Sequence, residues 1–431
     1  MYLNYNEALD FIHNTSKIGT KLGLNNIREL LLRLGEPQKK LRFVHVAGTN
    51  GKGTVTSTLA EILKKAGYKT GMYTSPFIYD FCERMKVNGK MISYDDLARI
   101  TSLVRAECQR MQKDGLTHPT EFEIVTAIGL YWFAEQKCDI VMLEVGLGGR
   151  LDATNVIDSP EVAVITSISR DHTEYLGDTV EEIAYEKCGI IKPGCSVVIY
   201  PQEYSEADSV IKNICIERNC EYFVAALPEI ISESLEGTEF SVDGEKYFTT
   251  LIGAHMTFNI STAVCAAKLL QKKGFSITED SIKQGVADVK WSGRFEKISE
   301  KPLFIIDGAH NFSAVEALKK AIETCLKGRK IFFITGMLAD KEYDKCMSLV
   351  APLAHKIAVC RVPSPRALPE QKLADCIIKY NSDVCISPSI EDAVKLALSD
   401  SECDCILAFG SLYMLGDVKA AFEKMKEGAI K

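Results

Sequence analysis

No stretch of this sequence stays apolar for the roughly 18 residues that a bilayer-spanning helix needs, so no membrane span is expected. The opening residues, MYLNYNEALDFIH, carry Asn, Glu and Asp where a secretory leader would be apolar. They read as an amphipathic helix, and nothing marks the chain for export. Positive charge is not in excess, since 51 Lys and Arg against 58 Asp and Glu leave a formal net charge of −7. That balance argues against a dedicated binder of nucleic acid or of an anionic membrane, although it leaves room for a local basic pocket. Repeats and low-complexity tracts are lacking too. Cysteine is plentiful at 15 residues, but no C-x-x-C occurs, and Cys403 and Cys405 alternate within the apolar run CDCILAF. A zinc site or a disulfide framework needs clustered spacings. Reduced thiols packed as small hydrophobes are expected instead, and with them a cytoplasmic location.

What is present is an ordinary globular mix, 46% hydrophobic and 25% charged over 431 residues, long enough for two domains with separate cores. Continuous apolar runs at 41–46, 138–145, 161–168 and 196–200 alternate with helical patterns at 53–67, 121–136 and 179–189. Unbroken rather than alternating runs are the mark of parallel strands covered on both faces. Residues 222–252 differ: short β-prone runs broken by Gly and Asp-Gly predict antiparallel hairpins at one sheet edge. A second alternation starts near residue 301, with strands expected at 302–307, 330–335, 355–360, 382–387 and 403–410. The expected fold is therefore α/β in both parts. A mainly parallel P-loop domain occupies residues 1–296, and a smaller Rossmann-like domain occupies 297–431.

The strongest local signal is FVHVAGTNGKGTVTSTLAEIL. A buried strand ends at Val46, glycines follow at 48, 51 and 53, and a helix begins after Lys52. Glycines allow backbone N–H groups to turn inward around phosphate oxygens, and the helix N-terminus adds positive potential. Lys52 would neutralise the β- and γ-phosphates, with the Thr54 hydroxyl nearby. The spacing is the compact G-T-N-G-K-G-T rather than G-x-x-x-x-G-K-[ST]. A plain glycine-rich helix cap is the bland alternative, which the full strand, loop and helix context disfavours. A nucleotide site calls for magnesium, whose oxygen ligands would come from neighbouring strand ends. Glu144, His172 and Ser75 are the candidates. Singly, Glu144 could pair with Arg150, His172 could be a surface loop residue, and Ser75 could start a turn before Pro76.

Nine separated blocks then occur in order: HVAGTNGKGT, TSPFIYDFCERMKVNG, PTEFE, LEVGLGGRLDATNV, SISRDHTEYLG, AYEKCGIIKPG, WSGRFE, IIDGAHN and FGSLY. In these, from about residue 20 to the C-terminus, the chain resembles the folylpolyglutamate synthase/dihydrofolate synthase family of the Mur ligase superfamily. The resemblance implies a two-domain, ATP-dependent amide ligase that adds glutamate to folates through a γ-carboxylate. Thr49, Asn50, Gly51, Lys52, Gly53 and Thr54 would hold the ATP phosphates, and Ser75, Glu144 and His172 the magnesium, with two metal sites expected. Lys187 matches a lysine that the superfamily carries as its carbamate, an anion able to help bind the second magnesium. From the residues alone, a surface ion pair of Glu186 with Lys187 would serve equally well. Asn259, Arg294 and Asp307 match nucleotide contacts, and His310 lies close to the phosphates. Ser411 would face the incoming glutamate. Gly23, Leu24, Thr120, Phe122, Glu123 and Asp152 would line the pterin side.

Two departures bear on acceptor choice. Phe77 stands where many members have His, and Met256 follows His255 where Gln is usual. The expected chemistry is acyl-phosphate formation, followed by attack of the glutamate amine, with Lys52, Lys187 and His310 as catalytic candidates. Arg294 and Asp307, at the domain boundary, would complete the site on closure. Lys341 or Arg361 would take the glutamate carboxylates. A monovalent cation is a further candidate cofactor. The substrates implied are ATP, L-glutamate and a reduced folate or dihydropteroate, handled by a monomer without nucleic-acid or membrane partners.

Competing readings fare worse. A cell-wall Mur ligase generally has a UDP-sugar-binding domain before the phosphate loop, and only 47 residues precede Gly48. A nucleotide-driven switch would be expected to show an Asn-Lys-x-Asp guanine reader, and would leave the second α/β domain without purpose. A dinucleotide-dependent oxidoreductase would need G-x-G-x-x-G after a strand. Neither motif is present.

Overall fold

The structure, a computed structural model, describes residues 3–15 and 23–429. The chain packs as two compact units. One comprises Met1–Glu229, Ser241–Tyr247 and Phe258–Val289, and the other Ile230–Phe240, Phe248–Thr257 and Lys290–Lys431. The expected boundary at residue 296 falls inside the second unit.

The first unit is built on strands β1 (Phe43–Ala47), β2 (Thr70–Tyr73), β3 (Met85–Val87), β4 (Lys90–Met91), β5 (Ile140–Glu144), β6 (Val162–Ile165), β7 (Ser196–Ile199) and β8 (Tyr222–Val224). They form one sheet in the order β4-β3-β2-β5-β1-β6-β7-β8. From β2 to β8 every neighbouring pair is parallel, while β3 and β4 run antiparallel at one edge. Every residue of β1, β5, β6 and β7 is buried, which is why these strands read as unbroken apolar runs. The helices are α1 (Tyr5–Asn14), α2 (Asn25–Arg33), α3 (Lys52–Lys65), α4 (Tyr94–Lys113), α5 (Glu121–Glu135), α6 (Thr173–Leu176), α7 (Val180–Lys187) and α8 (Ser205–Glu217). Helix α5 is apolar almost all round. Its side chains enter a core shared with α2, α4 and one face of the sheet, with Ile128, Phe133, Leu143 and Val104 in contact range. Helices α7 and α8 cover β6 and β7 through Ile183, Ala184, Ile211 and Val197.

The 222–252 region departs from expectation. Its first run is β8, which extends the large sheet in parallel. Strands β9 (Glu229–Ser234), β10 (Gly237–Val242) and β11 (Glu245–Thr249) form a sheet of their own, in the order β11-β10-β9. The turn at Asp243-Gly244 has positive φ at both residues, 53° and 81°, the geometry that closes a two-residue hairpin. Helices α9 (Ala254–Lys272) and α10 (Glu279–Asp288) follow.

The second unit carries β12 (Glu296–Glu300), β13 (Leu303–Ile306), β14 (Ile331–Thr335), β15 (Lys356–Val359), β16 (Val384–Ile386) and β17 (Cys405–Phe409). Their order is β12-β13-β17-β14-β15-β16, parallel except for β12. Helices α11 (Phe312–Cys325), α12 (Tyr343–Val350), α13 (Glu370–Ile377), α14 (Ile390–Ser399) and α15 (Leu412–Ala429) accompany them. The five expected strands are present. The added antiparallel edge, EKISE, is too polar to signal a buried strand. All fifteen cysteines are free, and most are buried, as the scattered spacing predicts. Among the described residues, no helix is long and apolar enough to cross a membrane.

Candidate active site

The phosphate loop leaves β1 at the centre of the first sheet, with β5 on one side and β6 on the other. Chain reversal at such a point opens a crevice at the C-terminal strand ends. The loop is sewn to the segment after β6. Thr49 N–H donates to the Ser167 carbonyl (2.7 Å), the Thr49 hydroxyl donates to the Ser169 carbonyl (3.0 Å), and the Thr166 hydroxyl donates to the Asn50 carbonyl (2.8 Å). Two glycines are required by contact. A Cβ on Gly48 would lie 1.8 Å from Thr166 Oγ1, and one on Gly51, whose φ is 88°, would lie 2.2 Å from Asn259 Oδ1. Asn259, on α9, thus abuts the loop. Helix α3 begins at Lys52 with no side-chain cap, and the N-terminal end of a helix carries positive potential that favours an anion. Gly53 and Thr54 lie in that first turn, and Thr54 is buried.

Two lysines meet at this loop. Lys52 Nζ donates to the carbonyls of Gly48 and Thr49, both at 3.1 Å. Lys187, at the end of α7, is 4% exposed and donates to the same Gly48 carbonyl at 2.8 Å. The ion-pair alternative for Lys187 is thereby excluded, because Glu186 turns away to Arg150 (2.8 Å) while Lys187 points into the protein. Burial, and secondly the neighbouring Lys52 charge, push the Lys187 ammonium down to about 7.

Glu144 ends β5 with 4% exposure, level with Val46 of β1, and Oε2 accepts the Ser75 N–H at 3.2 Å. Glu144 and Ser75 are therefore adjacent, beside the start of the phosphate loop. The Arg150 alternative for Glu144 fails for the same reason as above. His172 immediately precedes α6 at the far end of the loop after β6, with φ 52°, and its ring lies 3.9 Å from the Asp171 carboxylate. Among the described residues, no group of three or more His, Cys, Asp or Glu side chains could hold a metal by itself. One buried carboxylate with a neighbouring hydroxyl fits magnesium, which takes few protein ligands and completes its shell with phosphate oxygens and water.

The residues expected on the pterin side have local duties as well. Thr120 and Glu123 form the capping box of α5, Glu123 Oε2 accepting from Thr120 N–H (2.7 Å) and from its hydroxyl (2.9 Å). Phe122 packs edge-on to Tyr73, with ring centroids 6.3 Å apart. Asp152 is buried in the loop after β5, where it accepts from Leu147 N–H and Thr154 N–H. Leu24 precedes α2, half-buried against the core, and Gly23 has φ 150° with open space around it. Phe77 stacks near Phe81, and the Arg84 guanidinium lies 5.3 Å from each ring. Met256 is buried.

In the second unit four expected residues converge. Asp307 accepts from Phe295 N–H and Ala309 N–H, both at 2.7 Å, and faces the Arg294 charge. A Cβ on Gly308 would lie 2.4 Å from Arg294 and 2.3 Å from Leu412, so the DGAHN and FGSLY loops touch. His310 Nδ1 lies 2.7 Å from the Gly308 carbonyl, and Ser411 is buried at the start of α15. The Lys341 side chain is 6% exposed beside Asp340, whereas Arg361 is exposed. Sequence reading missed Thr166, Gln202 and His45. Gln202 clamps the segment after β6, accepting from Ile168 N–H and donating to the Thr166 carbonyl. Only His45, a polar residue inside the apolar run FVHVA, carried a visible signal.

A glycine loop with a second buried lysine, in a chain that also carries a separate α/β sheet, defines a class. The chain matches the family model of the Mur ligase middle domain over residues 46–267, and that of the Mur ligase glutamate ligase domain over 293–412. It is 36% identical to the dihydrofolate synthase/folylpolyglutamate synthase of Bacillus subtilis (strain 168), covering 97% of this chain and 99% of that one. To the folylpolyglutamate synthase of Lacticaseibacillus casei it is 33% identical, over 97% and 98% of the two chains. Among solved structures, Escherichia coli FolC in complex with DHPP and ADP superposes with a TM-score of 0.85 at 28% identity, covering 97% of this chain and 98% of that one. Mycobacterium tuberculosis folylpolyglutamate synthase complexed with ADP and AMPPCP gives 0.87 at 27%, over 97% and 99%. The chain belongs to the folylpolyglutamate synthase/dihydrofolate synthase family of Mur ligases.

Proposed function

We propose that this chain is an ATP-dependent ligase that joins L-glutamate to the γ-carboxylate of a reduced folate through an acyl phosphate, and joins glutamate to dihydropteroate as well. The observation that carries the reading is the meeting of Lys52 and Lys187 on the Gly48 carbonyl, one strand away from buried Glu144. An unactivated carboxylate does not form an amide in water, so ATP must first phosphorylate it. The inward N–H groups at the start of α3 and the Lys52 ammonium orient the γ-phosphate and spread its charge as the acceptor carboxylate attacks. Magnesium ions bound by Glu144, Ser75 and His172, and by a carbamate on Lys187, would neutralise phosphate oxygens. A Lys187 amine near neutrality has a free electron pair to attack carbon dioxide, losing one proton to give the carbamate. The Lys52 charge, which repels an ammonium there, would then attract the anion. His310 is the residue of the second unit assigned to the tetrahedral intermediate, Arg294 and Asp307 to the nucleotide, and Ser411 and Lys341 to glutamate. A monovalent cation is the remaining candidate cofactor. In this reading the partners are small molecules, the working form is a monomer, and the compartment is the reducing cytoplasm that fifteen free thiols suit.

The test is incubation of purified protein with Mg-ATP and labelled glutamate, in parallel with tetrahydrofolate and with dihydropteroate. Label is expected in both products. Label in tetrahydrofolate alone would remove the dihydropteroate activity and point to Phe77. Label in neither, with ATP intact, would overturn the ligase reading.

A further inference from the structure

His45 is fully buried in the middle of β1, three residues ahead of the phosphate loop, between Leu143 of β5 and Ala163 of β6. Its Nε2 lies 2.9 Å from the hydroxyl of Thr154. That hydroxyl lies 2.5 Å from Asp152 Oδ1, which also accepts the Thr154 N–H at 3.0 Å. Oδ2 of the same carboxylate takes the Leu147 N–H at 2.8 Å. A hydroxyl has one proton, and an ionised carboxylate only accepts, so with Asp152 ionised the Thr154 hydroxyl donates its hydrogen bond to Asp152. The imidazole must then donate from Nε2, leaving Nδ1 as the bare nitrogen. This agrees with the surroundings, because Nδ1 is buried without a hydrogen-bond partner, a place that would penalise a second N–H. Burial pushes the imidazole down to about 3, so it stays neutral throughout the working range.

We infer that His45 and Thr154 are positioning residues for acceptor binding: a donor chain, imidazole to hydroxyl to carboxylate, that locks the orientation of Asp152. The inference rests on the reading of Asp152 as an acceptor contact. The Thr154 hydroxyl and the backbone N–H groups of Thr154, Leu147 and Gly146 anchor the carboxylate, so Asp152 can present only the lone pairs they leave. Burial raises the Asp152 carboxyl above the usual carboxylate range, and the Thr154 hydroxyl and backbone donors offset part of that rise. Because His45 belongs to the strand that delivers the phosphate loop, the chain also ties the acceptor loop to the frame of the nucleotide site. A purely structural cap of the 3₁₀ turn Ala153–Val156 would affect stability without selecting among substrates.

Steady-state constants for tetrahydrofolate or dihydropteroate, ATP and glutamate separate the two. Thr154→Val should raise the acceptor KM roughly tenfold, the loss of one charge-assisted hydrogen bond, with the KM values of ATP and glutamate within about twofold. Thr154→Ser should restore the acceptor KM. His45→Gln, which keeps an N–H donor, should stay closer to the parent protein than His45→Leu. Asp152→Ala tests the underlying reading: an unchanged acceptor KM there would remove Asp152 from acceptor binding, and the inference with it. If Asp152→Ala raises the acceptor KM while Thr154→Val leaves it alone, or raises all three KM values together, the relay is overturned by itself. Melting temperatures of the same variants identify any that fail through misfolding, and the Ser and Gln variants then carry the test.

Discussion

Lys187 sits where its charge is least welcome, buried next to Lys52, and its amine is held near 7. An exposed lysine would titrate near 10.4, so between these values the unfolded chain holds a proton that the folded chain lacks. Stability contributed here therefore rises with pH from about 7 towards 10, and the full penalty is felt below 7. Lys187→Met should be stabilising at low pH, and its gain at about pH 6 should exceed that at about pH 9 by about 3 kcal/mol. Urea unfolding in carbon-dioxide-free buffer at the two pH values measures this. A pH-independent difference would mean that the amine is not held neutral in the fold. Gly48 O would keep Lys52 as a donor, so the substitution leaves no orphaned carbonyl. The same variant should lose ligase activity, and short carboxylic acids should partly rescue Lys187→Ala if the carbamate is needed.

Helix α5 combines a cap with a proposed binding edge, and the two can be separated. Thr120→Ala removes the capping box and should cost about 1 kcal/mol of stability, while Thr120→Ser should cost little. A rise in acceptor KM for Ala beyond that for Ser would place Thr120 in substrate binding, and equal KM values would leave it a cap. Helices α3 and α10 meet at Gly285, where a Cβ would lie 2.6 Å from the Ile62 Cα, a backbone atom that cannot step aside. Gly285→Val should therefore destabilise by about 2 kcal/mol, lowering the melting temperature. The buried strands of both sheets were legible because each is apolar on both faces. Strands β2 and β12 were not, since TGMY is short and small and EKISE is polar, and only their neighbours' unpaired backbone groups recruit them.

The packing of the whole molecule is not a simple division at one point in the chain. Segments Ile230–Phe240 and Phe248–Thr257 belong to the second unit although they come before residue 290, and Ile252 lies in that unit's core with Phe295 and Ile305. A fragment of residues 297–431 would lack these segments and the first residue of β12. It should melt well below the intact chain, or fail to fold, by circular dichroism. A fragment as stable as the unit in the full protein would show that the early segments add nothing.

Much of this protein was settled by local pattern. Strand, glycine loop and helix in HVAGTNGKGT suffice to mark the proposed phosphate site, because the N–H groups that would bind are contiguous in the chain. Likewise the alternation of apolar runs and helical periods suffices for two α/β sheets. What a one-dimensional pattern does not contain is which side chain faces inward. Glu186 and Lys187 are adjacent residues at one helix end, yet the fold sends one to Arg150 and buries the other at Gly48. Capping, too, emerged only in three dimensions, where Thr120, Glu123 and Asp152 first satisfy their own backbone. The His45 to Asp152 chain spans β1 and the loop after β5, more than a hundred residues apart in sequence. Only the closing of the sheet brings its members within hydrogen-bond distance, where burial makes each donor count.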